Sequence, residues 1–260
     1  RENLGRRRNL SAYEALLKFY ELKISPSTGK VRSLLKEFEE ITETQENYSS
    51  AWAVRSLLNT FLCTLSLPSE VNKGRLEAAI ECGTKSSAID PDNALAFVAL
   101  FQAHYHSGNL DIAERMAHKA RALNPNDYSF LAYYALTSAF RGNSERAKHY
   151  HKAALRLVDR PPAWFYTSEL CLAFRAKRFE AVLDALENVN TQSAVGSQIM
   201  WIACLGHLED VGRATQFLQE AHTMFKDYDR LLAEVFLTWQ PDDELRELVF
   251  KGWQRAGLDI

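Results

Sequence analysis

The residues in this chain with the clearest capacity for chemistry are its histidines, adjacent carboxylates and cysteines. His104 and His106 flank Tyr105, His149 and His151 flank Tyr150, and His118 lies between the two triplets. On a helix, residues i and i+2 project to nearly opposite sides, so neither His-Tyr-His triplet can hold one metal ion with both imidazoles. Glu39-Glu40 and Asp242-Asp243 are the paired carboxylates, and both read as solvated helix faces or helix caps rather than as an acid–base pair. Cys63, Cys82, Cys171 and Cys204 stand singly among apolar residues with no C-x-x-C spacing, the pattern of buried, reduced thiols. The sequence has no Gly-rich phosphate loop, nucleophile elbow or zinc spacing. The expectation is a protein without catalytic residues, cofactor or metal.

The elements that must position these side chains are helices. In Asn93 to Pro125, apolar and small residues recur at helical spacing through Phe97, Leu100, Phe101 and His104, break at Ser107-Gly108-Asn109, and resume through Ile112, Ala113, Met116, Ala117 and Ala120. That is a helical hairpin with a proline stop. Gly74, Gly108 and Gly142 are 34 residues apart, as are Ala79, Ala113, Ala147 and Ala181, and Pro91 and Pro125 keep the same step. A period of 34 with these residue types resembles the tetratricopeptide repeat family. The resemblance implies an all-α fold, a right-handed superhelical solenoid of about six antiparallel hairpins with a C-terminal helical cap.

Along the chain, residues 1–10 carry four Arg in the first eight positions and read as a basic linker from an upstream domain. Ser11 with Glu14 forms a capping box that predicts the first helix start. The hairpins are expected at about 11–42, 48–90, 94–124, 128–158, 162–190 and 195–225, and the cap at 227–260. Irregular helix ends are expected between Leu67 and Gly74. Ala176 stands where earlier copies carry glycine, which predicts a tighter or more helical turn in the fifth hairpin.

A stacked array presents its first helices on a concave face, and the 34-residue step lists that face. Tyr105 and His106 align with Ala139 and Phe140 and with Ala173 and Phe174, and Arg141 and Arg175 follow the two Phe. Gln102, Leu136 and Leu170 form a second row, and Val98, Ala132 and Tyr166 a third. Two accounts of these residues stand side by side. In one, Gln102, Tyr105, His106, Phe140, Arg141, Tyr166, Phe174 and Arg175 line a groove for a peptide, with aromatic anchors and an Arg for a carboxylate or phosphate. In the other, Phe140 and Phe174 are packing residues at the hairpin tips and the arginines solvate the turns. The second row lacks the Asn and Lys of repeats that clamp chaperone carboxyl termini, which excludes that role.

Composition agrees with an ordinary folded chain: 260 residues, 47% hydrophobic, 25% charged and a formal net charge of -2. That balance gives no general attraction to nucleic acid or anionic membrane. No apolar run approaches the roughly 20 residues needed to span a bilayer. The chain is expected to be cytoplasmic, with no membrane or direct nucleic-acid partner, taking a protein or peptide partner or a second copy of itself.

The opening LSAYEALLKFYEL, the long YSSAWAVRSLL helix and the closing ELRELVFKGWQRAGL also resemble the C-terminal repeat region of multidomain bacterial regulators. Those proteins place the array after a winged-helix DNA-binding domain or a class III adenylyl cyclase domain, often with a TolB-like segment between. The resemblance implies a non-catalytic interaction or sensor module, the regulatory part of a bacterial transcriptional regulator. The alternative it leaves open is a small-molecule-sensing or dimerisation domain of a cyclase-type signalling protein.

Overall fold

The structure, a computed structural model, describes residues 2–24, 27–65, 67, 74–188 and 195–260, with side chains from residue 12 onward. The expected irregularity between Leu67 and Gly74 falls largely outside these residues. Among them the chain is all α, with fourteen α-helices and no strand. It divides into two compact units, Arg1–Leu65 with Ser69–Pro125 and Ser66–Pro68 with Asn126–Ile260.

In the first unit α1 (Glu2–Leu22) packs on α2 (Thr28–Thr44), and α2 packs on α3 (Ser49–Thr64). Helix α3 runs along both α4 (Arg75–Ile89) and α5 (Ala94–His106), and α5 pairs with α6 (Leu110–Leu123). Helix α1 begins at Glu2, not at Ser11, so residues 2–10, expected to lie in a linker, are its first turns. Phe19, Phe38, Leu57, Leu58 and Leu62 are buried in this unit. A polar seam crosses it: Ser49 Oγ donates to Ser86 O (3.0 Å), and Asn93 Nδ2 donates to Ser49 Oγ (2.7 Å). Asn93 also caps α5 by accepting from Leu95 N, so one residue starts the helix and ties it to α3.

In the second unit α7 (Tyr128–Phe140) pairs with α8 (Ser144–Leu155). A 3-10 turn (Ala163–Tyr166) leads into α9 (Thr167–Arg175), which packs on α7 and on α10 (Phe179–Asn188). Helix α11 (Val195–His207) meets α10, α12 (Val211–Met224) and α13 (Tyr228–Thr238), and α14 (Asp243–Ala256) lies along α11. The core joins Phe140, Phe174, Val182, Ile202, Leu232, Phe236, Val249 and Trp253. Helices α11 and α14 approach unusually closely, because a Cβ at Gly206 would overlap the carbonyl oxygen of Gly252. Trp253 Nε1 donates to Ile199 O across the same contact (2.9 Å).

Four helix pairs are joined by one turn. Its third hydrogen bond runs five residues back, from Asn109 N to His104 O, Asn143 N to Ser138 O, Arg178 N to Ala173 O and Asp210 N to Leu205 O. The residue before each of these donors is left-handed: Gly108 (φ 78°), Gly142 (φ 73°), Lys177 (φ 57°) and Glu209 (φ 60°). This corrects the sequence alignment of the fifth hairpin. Its turn is the same as the others but falls one residue late, with Lys177 rather than Ala176 at the glycine position. The shift carries through α10, where Ala181 is exposed and Val182 takes the buried place of Ala113 and Ala147.

A non-glycine residue in the left-handed region costs about 1–2 kcal/mol, part of which a glycine returns as unfolded-state entropy. Lys177→Gly and Glu209→Gly are each expected to raise stability by about 0.5 kcal/mol in urea denaturation. A loss of stability in both would contradict the shared turn.

Candidate functional site

Helix α7 (YSFLAYYALTSAF) contains no charged residue, and every position from Ser129 to Phe140 is buried. A helix that is apolar all round is covered on all sides, so α7 offers no open strip to a ligand. Helix α5 is similar, with Gln102, Tyr105 and His106 buried in the first unit. The Tyr105 ring packs on Phe101 and His106, at centroid distances of 6.1 and 5.3 Å. Gln102 Oε1 is buried without a hydrogen-bond partner among the described residues.

The expected open groove is therefore corrected for most of its residues. Phe140 and Phe174 are core, the packing account given above, and Phe174 stacks edge-on against Phe179 (5.2 Å) and His207 (6.0 Å). Tyr166 lies in the 3-10 turn, 41% exposed, with its ring against His151. Arg141 is an exposed turn residue whose Nη1 donates to Gln240 O (3.1 Å).

Arg175 behaves differently. One residue out of the assumed register, it occupies the helical place of Phe140 and His106 rather than that of Arg141, and its side chain is only 8% exposed. Nε donates to Ala139 O (2.9 Å) and Nη2 to Phe140 O (2.9 Å), the last carbonyls of α7. Nη2 also donates to Asp242 Oδ1 (2.7 Å), and Nη1 reaches Glu244 Oε2 (3.5 Å). The carboxylates come from the start of the last helix. Asp242 caps α14 by accepting from Leu245 N (3.0 Å), as its position after Pro241 suggests, and its own N–H donates to Phe140 O (3.0 Å).

Aromatic contacts complete this corner. The Trp239 ring lies 5.8 Å from Tyr133 and 5.4 Å from Phe140, and Phe236 lies 6.4 Å from Phe140. Gly142 is needed twice over, for its left-handed φ and because a Cβ there would overlap the Asp242 carboxylate. The segment Trp239-Gln240-Pro241-Asp242-Asp243-Glu244 thus sits where the sequence placed a partner, supplies the carboxylate expected for Arg175, and adds an aromatic ring of its own. Trp239, Asp242 and Glu244 were missed because they belong to the stretch read as a cap. The only signal was an aromatic residue followed by Pro and three acids.

The buried thiols of this unit are not activated nucleophiles. Burial pushes the Cys171 thiol, beside Arg175, up to about 12 and Cys204 to about 12, so both are protonated at neutral pH. Among the described residues no group of His, Cys, Asp and Glu is arranged to hold a metal ion, and no helix is long and apolar enough to cross a membrane. No protein-family model matches the chain. No curated protein matches it either.

Removing one partner of a buried, hydrogen-bonded ion pair costs roughly 3–5 kcal/mol, whereas an exposed substitution costs within about 0.5 kcal/mol. Arg175→Ala is expected to lose about 3 kcal/mol of stability and Arg141→Ala less than about 0.5 kcal/mol, read by urea unfolding at neutral pH. Equal effects would return Arg175 to a turn-solvating role.

Proposed function

We propose that this chain is a non-catalytic protein-interaction module of tetratricopeptide-repeat type, a helical solenoid serving as the regulatory part of a bacterial transcriptional regulator. Four helix pairs sharing one turn support the repeat reading. The single observation that carries the binding reading is the Arg175 corner, which already holds a segment made of Trp239, Asp242 and Glu244. Its chemistry selects an aromatic residue followed a few positions later by paired carboxylates, because the buried guanidinium, oriented by the two α7 carbonyls, donates to carboxylates while Tyr133 and Phe140 face the aromatic ring. A partner peptide of the same kind competes with the chain's own segment for the corner.

The test uses a labelled peptide with the sequence of residues 239–248 and the Trp239→Ala/Asp242→Ala double variant, which weakens the internal segment. The double variant, checked for helix content by circular dichroism, should bind the peptide at least about tenfold more tightly than the unaltered chain, a difference of about 1.4 kcal/mol. Adding Arg175→Ala should remove that binding. A folded double variant that binds no better than the unaltered chain would rule the reading out.

A further inference from the structure

A second cleft, of about 380 Å³, opens between α8 and the start of α9 and has no part in the Arg175 corner. Lys148 and Lys152 of α8 and Arg156, the residue that ends it, follow at successive intervals of four, so the three cations line one edge at about 6 Å steps. Lys148 is paired with Glu145 (3.0 Å), whereas Lys152 and Arg156 find no partner among the described residues. The floor is apolar, formed by Leu155 and Leu172.

At the back of the cleft stands His151, only 5% exposed. Its Nδ1 lies 3.1 Å from Ser168 Oγ. Its Nε2 is buried and makes no hydrogen bond. Glu169 Oε1 comes within 3.0 Å of that nitrogen but too far out of line to accept from it, and the Glu169 side chain is 58% exposed. An unsatisfied buried imidazole nitrogen is costly, and native structures retain such groups where something else completes them. The Tyr166 ring stands edge-on to the imidazole at 5.9 Å.

We propose that this cleft binds a small phosphomonoester carried on an apolar body. With the Ser168 hydroxyl donating to Nδ1, the ring proton sits on Nε2 and points at the ligand. Nε2–H, the Lys152 ammonium and the Arg156 guanidinium supply three donor groups, two of them cationic, which match the two charges and three oxygens of a phosphomonoester better than the single charge of a carboxylate. The first turn of α9 favours negative charge there, a preference that Glu169 meets in the free protein. The apolar body rests on Leu155 and Leu172. The bound anion displaces Glu169, whose carboxylate is the chain's own occupant of the same place. No bond is made or broken.

The experiment titrates the full chain with phenyl phosphate, inorganic phosphate and benzoate at constant ionic strength, following the His151 ring resonances by NMR. Phenyl phosphate should saturate the shift and bind at least about fivefold more tightly than either fragment-like probe. Lys152→Glu/Arg156→Glu, both exposed and so expected to fold, should weaken it at least about tenfold. Glu169→Gln should tighten it about threefold or more by removing the internal competitor. Benzoate binding as tightly as phenyl phosphate, an unchanged affinity in the charge-reversed variant, or weaker binding in Glu169→Gln would each overturn the proposal.

Discussion

The last carbonyls of a helix have no partner within it, and where that end is buried they must find donors elsewhere. At the end of α7 Ala139 O keeps a local donor in Gly142 N (3.2 Å), and the further donors come from far along the chain: Arg175 reaches both Ala139 O and Phe140 O, and the Asp242 amide also donates to Phe140 O. A guanidinium taken so far out of water is tolerable only because every side of it is answered, by two carbonyls and the Asp242 carboxylate, with Glu244 at the rim. Much of the second unit follows from this arrangement. Gly142 must lack a side chain to admit Asp242, α14 must start where Asp242 can cap it, and Trp239 is held over Phe140 by the bend between them.

The helical content was legible in the sequence because apolar spacing and Gly-Asn turns are local signals. Register was less so. The left-handed turn residues fall at Gly108, Gly142, Lys177 and Glu209, so the steps are 142 − 108 = 34, 177 − 142 = 35 and 209 − 177 = 32. Counting by 34 holds for the first step and fails afterwards, and the failure is silent because Lys177 and Glu209 do not look like turn residues. A slip of one position turns a helical side chain by about 100°. That is enough to exchange the roles of two arginines, making the buried Arg175 look like the exposed Arg141.

The open groove failed for a reason the sequence did contain. A first helix that lines a solvated groove keeps polar residues on its open face, and α7 has no charged residue at all. What covers that helix could not be read locally: Arg175 and Asp242 are 67 positions apart, Tyr133 and Trp239 are 106, and no short-range pattern ties either pair. Asp242 could be recognised as a helix cap, which it is, but not as the partner of a distant arginine. The polar seam of Ser49, Ser86 and Asn93 in the first unit was hidden for the same reason, each residue being unremarkable until its neighbour is known.

The internal segment and the helix that follows it are held by different kinds of force, and this decides what a competing peptide could replace. Helix α14 is fixed by backbone proximity, with Gly206 and Gly252 leaving no room for a side chain and Trp253 fully buried against Ile199. Withdrawing it would open a core cavity costing several kcal/mol. Residues 239–242, by contrast, are held by ring contacts, two arginines and a few hydrogen bonds, and Gln240 is left-handed (φ 51°) immediately before Pro241. A residue before proline is already restricted, so that bend carries strain which release would return. Exchange at the Arg175 corner therefore requires that the bend lift away and the first turn of α14 give up its Asp242 cap while the rest of α14 remains seated, a local opening of the kind that proteins make well below their global unfolding energy.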